Sequence, residues 1–286
     1  YTKMSDKQKL TVIGSGQMGA GIAQVAAMSG LDVLMIDVKS EFIDNGMETI
    51  EKSLRKFVEK ERIDRDKAKT ILEEIKTSLR LEDAANSDIV IEAVPEIEEI
   101  KFEIFKKLDK ICKKNTILAS NTSSISIGKI AMNTERPEKV IGMHFMNPVP
   151  LMKLVEIING KDTSEETTEK TVKLAEKMGK VALTANDYPG FVSNRILCPM
   201  INEAIICLET GVASKTSIDG IMQLGMHHPM GPLALADLIG LDTVLHIMNT
   251  LYDGFKDEKY KPSKMLEDMV KRGELGKKTG KGFYDY

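Results

Sequence analysis

This chain of 286 residues has few cysteines, no long apolar run and little net charge. The three cysteines, Cys112, Cys198 and Cys207, are odd in number and lack the spacing of metal ligands, so we expect free core thiols in a reducing cytoplasm. No apolar run reaches the roughly 18 residues of a membrane-spanning helix. A net charge of −3 provides no electrostatic attraction for nucleic acid or an anionic membrane. The composition therefore argues against disulfide-rich, membrane-spanning and nucleic-acid-binding proteins.

The N-terminal stretch YTKMSDKQKL lacks the apolar segment of a secretory signal, so we do not expect export. We interpret Met4 as the natural start and Tyr1 to Lys3 as a remnant ahead of it. No internal repeat or low-complexity tract is present. With 42% hydrophobic and 29% charged residues, a chain of this length can bury more than one core.

The first part of the chain alternates short aliphatic runs with helical stretches. The runs show no polar alternation, which is typical of strands that are buried on both faces. The predicted strands are Leu10–Ile13, Val33–Ile36, Ile89–Ala93, Ile117–Ala119, Val140–His144, Leu154–Ile158 and Val181–Leu183. An alanine-rich helix, Met18–Ser29, joins the first two and makes a βαβ unit. We therefore predict an α/β fold with a Rossmann-type, doubly wound, mostly parallel sheet.

Two regions depart from this alternation. Residues 41–78 are charged and helical, and we predict two helices there that break near Ile63 and Asp64. The breaker Asp187-Tyr188-Pro189-Gly190 ends the α/β pattern, and the remainder is predicted to be helical. Its expected helices are Arg195–Glu209, Ser217–Leu224 and Ala234–Leu251. The sequence thus predicts an α/β domain over 1–188 and a smaller all-α domain over 189–286.

A G-x-G-x-x-G motif follows the first predicted strand and opens the first helix. Gly14 permits a tight turn, Gly16 lets the backbone approach a pyrophosphate, and Gly19 lets the helix pack against the strand. Asp37 ends the second strand, where it would bind ribose hydroxyls and repel a 2′-phosphate. This context predicts NAD as the cofactor in preference to NADP. The candidate contacts are Gly14, Ser15, Gly16, Gln17, Met18, Gly19 and Asp37.

His144 ends a predicted strand, and Glu156 lies in the next one. Histidine is suited to proton transfer near neutral pH, and a carboxylate can fix its tautomer and stabilise its charged form. The SNTSS sequence at 120–124 also follows a strand, so its hydroxyl groups should lie at the carboxyl end of the sheet, where open α/β sheets bind ligands. Together with the glycine motif, the pair indicates transfer of a hydride and a proton between an alcohol and a ketone.

Five segments together resemble the 3-hydroxyacyl-CoA dehydrogenase family. They are GSGQMGAGIAQ, ASNTSS, GMHFMNPVPLMKLVE, DYPGFVSNRI and GKKTGKGFYDY, and they extend from residue 14 to residue 286. The short, free-standing length is most similar to that of the bacterial short-chain members that act on 3-hydroxybutyryl-CoA. The resemblance implies an NAD-dependent enzyme that interconverts a 3-hydroxyacyl-CoA and a 3-ketoacyl-CoA.

The resemblance also implies roles for individual residues. His144 would be the general acid and base, and Glu156 would orient it. Ser123 would form a hydrogen bond with the substrate oxygen, and Asn194 would reach the same site from the second domain, in a cleft between the domains. NAD contacts are implied for Glu96, Lys101, Ser123, Asn147 and Lys278.

The helical insertion offers candidates for binding the CoA part of the substrate. Ser53, Lys56 and Lys60 fall on one face at helical spacing, and two ammonium groups suit the phosphates of CoA. The resemblance favours Ser53 and Lys60. For Lys56, a solvent-exposed charge on the helix is an equally good interpretation.

Two other functions fit parts of the pattern. A β-hydroxyacid dehydrogenase would act on a substrate without CoA, but such enzymes typically use a lysine base, and the His144–Glu156 pair argues against one. A catalytically inactive dinucleotide-binding protein would tolerate changes at His144. The apolar runs Ile201–Leu208 and Leu233–Leu241 exceed what the small helical domain can bury, so we also expect a homo-oligomer, most simply a homodimer through this domain.

Overall fold

The structure is a computed structural model that describes residues 7–286. The interpretation of Met4 as the natural start concerns residues 1–6 and lies outside the described residues. The chain divides after Asp187 into two compact units, whereas the sequence predicts the domain boundary after Tyr188. Each unit is described by itself.

The first unit is built on a twisted sheet. Within residues 7–187 the sheet has eight strands in the order β3-β2-β1-β4-β5-β6-β7-β8, and all neighbouring pairs are parallel except β6–β7. The strands are β1 (Lys9–Ile13), β2 (Asp32–Ile36), β3 (Lys76–Ser78), β4 (Ile89–Glu92), β5 (Ile117–Ser120), β6 (Val140–Phe145), β7 (Leu154–Asn159) and β8 (Val181–Asn186). The prediction of a doubly wound, mostly parallel sheet is confirmed.

Helices connect and flank these strands. They are α1 (Gln17–Met28), α2 (Ser40–Glu59), α3 (Arg65–Glu74), α4 (Glu98–Ile111), α5 (Ile127–Ala131) and α6 (Glu165–Lys177). The break between α2 and α3 falls where the sequence predicts it, because the Asp64 side chain accepts a hydrogen bond from the Lys67 N–H and caps α3. The prediction that the insertion stays helical to Ser78 is wrong. Its last three residues, Lys76–Ser78, form the edge strand β3, which has no apolar run to reveal it.

Burial explains why the aliphatic runs show no polar alternation. Leu10, Val33, Ile91 and Ile141 lie on different strands and are at most 1% exposed. Helices cover both faces of a doubly wound sheet, so successive side chains of a central strand are all apolar. Because β1, β4 and β5 are paired in parallel, their carboxyl ends lie along one edge of the sheet.

The second unit, from Tyr188 onward, is helical. Its helices are α7 (Ser193–Glu209), α8 (Lys215–Met226), α9 (Pro232–Ile239), α10 (Leu241–Phe255) and α11 (Lys264–Lys271). The prediction of one helix over Ala234–Leu251 is wrong. Gly240 adopts a φ of +103°, and α9 and α10 bend by 99° at that residue. Among residues 7–286, no single helix is long and apolar enough to cross a membrane, and the bent α9–α10 pair meets the length and composition requirement only jointly.

Candidate active site

The glycine motif forms a tight turn between β1 and α1. Gly14 has a φ of +105°, and its N–H donates to the Ile36 carbonyl at 2.8 Å. A Cβ on Gly19 would lie 1.9 Å from the Gly14 carbonyl oxygen, so only glycine permits this approach of helix and turn. Gly16 is the N-cap residue of α1. The turn therefore presents the N-terminus of a long helix, which suits a pyrophosphate.

Asp37 borders this turn from the end of β2. Its Oδ2 atom accepts hydrogen bonds from Ser15 N at 2.8 Å and Ser15 Oγ at 2.7 Å, and Oδ1 accepts one from Val38 N. The carboxylate is thus held beside the glycine turn, where the sequence predicts a ribose-binding group. Lys39, two residues on, has its Nζ atom 5.4 Å from the centre of the Phe42 ring.

His144 and Glu156 face each other directly across the antiparallel pair β6–β7. The His144 Nδ1 atom lies 2.9 Å from Glu156 Oε1, and the two residues are 8% and 4% exposed. Because an ionised carboxylate only accepts hydrogen bonds, the pairing assigns a proton to Nδ1 and leaves proton exchange to Nε2.

The SNTSS segment is tied to Glu96. Thr122 Oγ1, Ser123 N and Ser123 Oγ donate hydrogen bonds to the Glu96 carboxylate at 2.7, 2.8 and 2.9 Å. Burial acts to raise the pKa of Glu96, but the charge of Lys101 and these hydrogen bonds outweigh it and lower that pKa. Glu96 is therefore an ionised acceptor that fixes Ser123 at the end of β5.

A buried ion pair lies next to Glu96. Glu92 is fully buried at the end of β4 and accepts hydrogen bonds from Lys101 Nζ at 2.5 Å and Ser120 Oγ at 2.6 Å. The Lys101 ammonium is 3.4 Å from Glu96 and is itself 2% exposed. The structure thus places Lys101 against two carboxylates. Sequence analysis missed Glu92, although a carboxylate that ends an apolar strand is a signal that could have found it.

A second contact links the SNTSS segment to β6. Asn121 Oδ1 accepts a hydrogen bond from the Phe145 N–H at 2.9 Å, one residue after His144. Sequence analysis also missed Asn121. Asn147 lies two residues beyond Phe145 and is exposed in the loop between β6 and β7. The first unit therefore brings Ser123, His144, Glu156 and Asn147 to neighbouring segments at one end of the sheet.

The three predicted CoA-binding residues line one groove. Ser53, Lys56 and Lys60 border a cavity of about 320 Å³ between α1, α2 and the loop 148–151. Phe57 and Arg62 also line it, with the Arg62 guanidinium 5.4 Å from the centre of the Phe57 ring. Among residues 7–286, Lys56, Lys60 and Arg62 have no carboxylate partner within 4.0 Å. The groove is therefore cationic, and sequence analysis missed Phe57 and Arg62.

Two predicted site residues belong to the second unit. Asn194 lies in the first turn of α7, where its N–H donates to the Gly190 carbonyl at 3.1 Å. Lys278 Nζ lies 2.5 Å from Asp242 Oδ1, beside Gly240 at the α9–α10 bend. Their predicted roles at the active site stay predictions.

A glycine turn with an acidic partner and a buried histidine–glutamate pair define a Rossmann-type, NAD-dependent dehydrogenase. Comparison with known families narrows this class. Residues 9–188 match the NAD-binding domain of 3-hydroxyacyl-CoA dehydrogenase, and residues 190–286 match the C-terminal domain of the same family. The chain belongs to the 3-hydroxyacyl-CoA dehydrogenase family.

Individual relatives agree with this assignment. A probable 3-hydroxybutyryl-CoA dehydrogenase of Bacillus subtilis is 56% identical over 98% of this chain and 97% of the relative. The human mitochondrial hydroxyacyl-coenzyme A dehydrogenase is 43% identical over 97% of this chain and 90% of the relative. The crystal structure of a (S)-3-hydroxybutyryl-CoA dehydrogenase from Ralstonia eutropha superposes with a TM-score of 0.96 at 47% identity, covering 98% of this chain and 99% of that one.

Proposed function

We propose that the chain catalyses reversible, NAD-dependent oxidation of (S)-3-hydroxybutyryl-CoA to acetoacetyl-CoA. Membership of the family supports the reaction class. The names of the relatives from Bacillus subtilis and Ralstonia eutropha support a four-carbon acyl group. The observation that carries the chemistry is the buried contact of 2.9 Å between His144 and Glu156.

The proposed mechanism uses one acid–base residue. NAD supplies the acceptor for the hydride that leaves C3 of the substrate. His144 takes the hydroxyl proton at Nε2 as the C–O bond gains double-bond character, and Glu156 stabilises the imidazolium that results. In the reverse direction the same nitrogen returns the proton to the developing alkoxide. Hydride and proton are thus both accounted for without a metal ion.

Ser123 is proposed to contact the reacting oxygen. In the structure its hydroxyl donates to Glu96, so binding of a ketone oxygen requires this hydroxyl to change its partner. The backbone N–H of Ser123 also donates to Glu96 and holds the segment in place. Glu96 and Lys101 would then act on NAD binding through the position of this segment, and Asn147 is proposed to contact the nicotinamide directly.

The cationic groove is proposed to hold the nucleotide end of CoA. Lys56 and Lys60 would bind the phosphates, and the Ser53 hydroxyl would donate a further hydrogen bond. The planar Phe57 and Arg62 side chains suit stacking with the adenine ring. The position and positive charge of the groove favour a CoA thioester over a free acid, because a free acid has no phosphate for the groove to bind.

One assay tests the reaction and separates the alternatives. Oxidation of NADH is followed with acetoacetyl-CoA, with acetoacetyl-pantetheine, which lacks the nucleotide, and with free acetoacetate. We expect turnover of the CoA thioester and a KM at least about tenfold higher for the pantetheine thioester. Equal turnover of free acetoacetate would support the β-hydroxyacid alternative, and no turnover of any substrate would support an inactive binding protein.

The quaternary structure is proposed to be a homodimer through the second unit. Large apolar side chains are exposed on α7 and α8, among them Ile196 at 66%, Ile221 at 59% and Leu224 at 86%. Exposed apolar patches are typical of protein–protein interfaces, which supports this proposal. Light scattering should give twice the chain mass, and Leu224→Glu should shift it towards the monomer. A monomeric wild-type protein would contradict the proposal.

The cytoplasm is proposed as the location. The cysteines Cys112, Cys198 and Cys207 form no disulfide in the structure, which agrees with a reducing compartment. The name of the human relative places that protein in the mitochondrion. Cell fractionation of the source organism with an antibody to this chain would test the proposal, and recovery in an organelle or outside the cell would contradict it.

A further inference from the structure

The loop between β6 and β7 forms one wall of the cationic groove. Pro148, Val149, Pro150 and Leu151 all line the cavity, and Asn147 precedes them. The Pro148 carbonyl accepts hydrogen bonds from the N–H groups of Leu151 and Met152 at 3.0 Å each, so the segment is a compact turn. The loop begins two residues after His144, at the end of β6. The loop therefore forms a wall of the groove and is joined directly to the strand that carries His144.

Lys180 holds this loop from its inner side. The Lys180 ammonium donates to the Val149 carbonyl at 2.5 Å and to the Met152 carbonyl at 2.7 Å. Lys180 lies between α6 and β8 and is only 9% exposed. Burial lowers the pKa of this lysine, and the residue has no carboxylate partner within 4.0 Å among residues 7–286. The hydrogen-bond partners of this buried ammonium group are thus two peptide carbonyls of the loop.

The direction of these carbonyls matters for an anionic ligand. Neither Lys180 nor Met152 lines the groove, so the ammonium holds the Val149 and Met152 carbonyls from outside the cavity. The loop residues that line the groove are Pro148, Val149, Pro150 and Leu151, all of which have apolar side chains. A peptide oxygen that turned outward would place partial negative charge beside the phosphates of a ligand, which is unfavourable in a partly dehydrated site. The buried ammonium holds these two carbonyl oxygens as its own acceptors, away from a ligand phosphate.

The opposite side of the loop rests on α1. A Cβ atom added at Gly21 would lie 2.8 Å from Val149 Cβ and 3.5 Å from the Pro150 ring. Val149 itself is 2% exposed and belongs to the apolar core. The loop is therefore fixed between two supports, the Gly21 surface of α1 and the Lys180 ammonium.

From this geometry we infer that Lys180 is a positioning residue for the cationic groove. Its hydrogen bonds to the Val149 and Met152 carbonyls hold the loop 148–152 in place. The inference rests on the proposed function of the groove. It assigns Lys180 no contact with substrate or cofactor. Its loss should weaken binding of the nucleotide end of the substrate and leave the chemical step intact.

The test compares Lys180→Met with Lys177→Met in the full-length protein. Methionine matches the four-atom apolar stem of lysine but lacks the ammonium donor, and Lys177 is an exposed lysine three residues earlier. In Lys180→Met we expect the KM for acetoacetyl-CoA to rise about tenfold, because a displaced loop weakens the contacts of the nucleotide end with the groove. The kcat and the KM values for NADH and acetoacetyl-pantetheine should stay within about twofold of wild type. Lys177→Met should behave as wild type.

Two results would overturn the inference: an unchanged KM for acetoacetyl-CoA, or an equal rise for both thioesters. If Lys180→Met does not fold, Lys180→Gln, which retains an amide donor, should give a smaller rise in KM that is again selective for acetoacetyl-CoA. An unchanged or unselective KM in that variant would also refute the role. Failure of the groove assignment itself is distinguishable, because the wild-type enzyme would then use acetoacetyl-pantetheine as well as acetoacetyl-CoA.

Discussion

His144 and Glu156 occupy opposed positions of the antiparallel strand pair β6–β7, and their side chains meet at 2.9 Å. Both side chains lie on one face of the sheet, because directly opposed residues of two paired strands share a face. Because β7 runs antiparallel to β6 after the loop 148–152, it places Glu156 opposite His144. The change from parallel to antiparallel pairing therefore creates the acid–base pair.

Glu156→Gln should reveal the contribution of the carboxylate charge. Glutamine keeps an oxygen that can accept from His144 Nδ1 but cannot stabilise an imidazolium by charge. We expect kcat to fall by about 10- to 100-fold, within the range for impaired acid–base catalysis, with little change in the KM for NADH. Steady-state kinetics with acetoacetyl-CoA measures both values. A kcat within twofold of wild type would rule out the orienting and stabilising role.

His144→Gln removes the proposed acid–base group altogether. Turnover should fall by at least about two orders of magnitude, whereas the Kd of NADH should change little. The chain has no tryptophan, so the fluorescence of bound NADH can be followed with little background from the protein. His228→Gln, in the loop after α8, is the control. Turnover like that of wild type in His144→Gln would refute the assignment.

Asp37→Asn separates charge from hydrogen bonding at the edge of the glycine turn. Asparagine retains an oxygen that can accept from Ser15, but it no longer repels a 2′-phosphate. We expect the ratio of kcat/KM for NADH to that for NADPH to fall by about tenfold. Asp37→Ala should lower the ratio and also weaken NADH binding, since it loses the contacts with Ser15. An unchanged ratio in both variants would show that Asp37 does not select the cofactor.

Glu96→Gln should destabilise the protein in a pH-dependent way. The folded-state pKa of Glu96 lies below its ordinary value of 4.5, so its ionised form contributes stability above that pH, and the contribution is lost as the pH falls through the folded pKa. The variant should lose about 1–3 kcal/mol near pH 7, the range for hydrogen bonds to a charged group.

Chemical denaturation from pH 7 to pH 3.5 tests this prediction. The difference between wild type and Glu96→Gln should narrow below about pH 4.5, where the carboxylate of the unfolded chain takes up a proton while that of the folded chain is still ionised. Glu82→Gln, at an exposed position, is the control and should cost less than about 0.5 kcal/mol. A difference that stays constant over this range would contradict the ionised role of Glu96.

Thiol titration should distinguish the three cysteines. Burial raises the pKa of Cys112 to about 11 and that of Cys198 to about 12, so neither forms much thiolate at pH 8. Cys207 is only half-buried. Ellman's reagent should therefore modify one thiol in the folded protein and three after denaturation, and Cys207→Ser should abolish the fast reaction. Rapid modification of Cys112 or Cys198 in the folded protein would contradict their burial.

Much of the fold follows from local signals in the sequence. Seven strands overlap aliphatic runs, because strands buried on both faces need unbroken apolar residues. The edge strand Lys76–Ser78 was missed because it has no such run. The bend at Gly240 was missed because glycine is tolerated inside a helical pattern, and only the surrounding packing shows that it adopts a positive φ there.

The sequence by itself determined the glycine turn, Asp37 and the candidate pair of His144 and Glu156, because each depends on residue type and near neighbours. Only the tertiary structure decided which distant groups touch. The register of β6 and β7 sets the His144–Glu156 contact. The packing of the first unit brings Glu92 against Lys101 and Lys180 against the loop 148–152. These contacts join residues that are 9 to 31 positions apart, and their energies depend on the removal of charge from water, which no local pattern encodes.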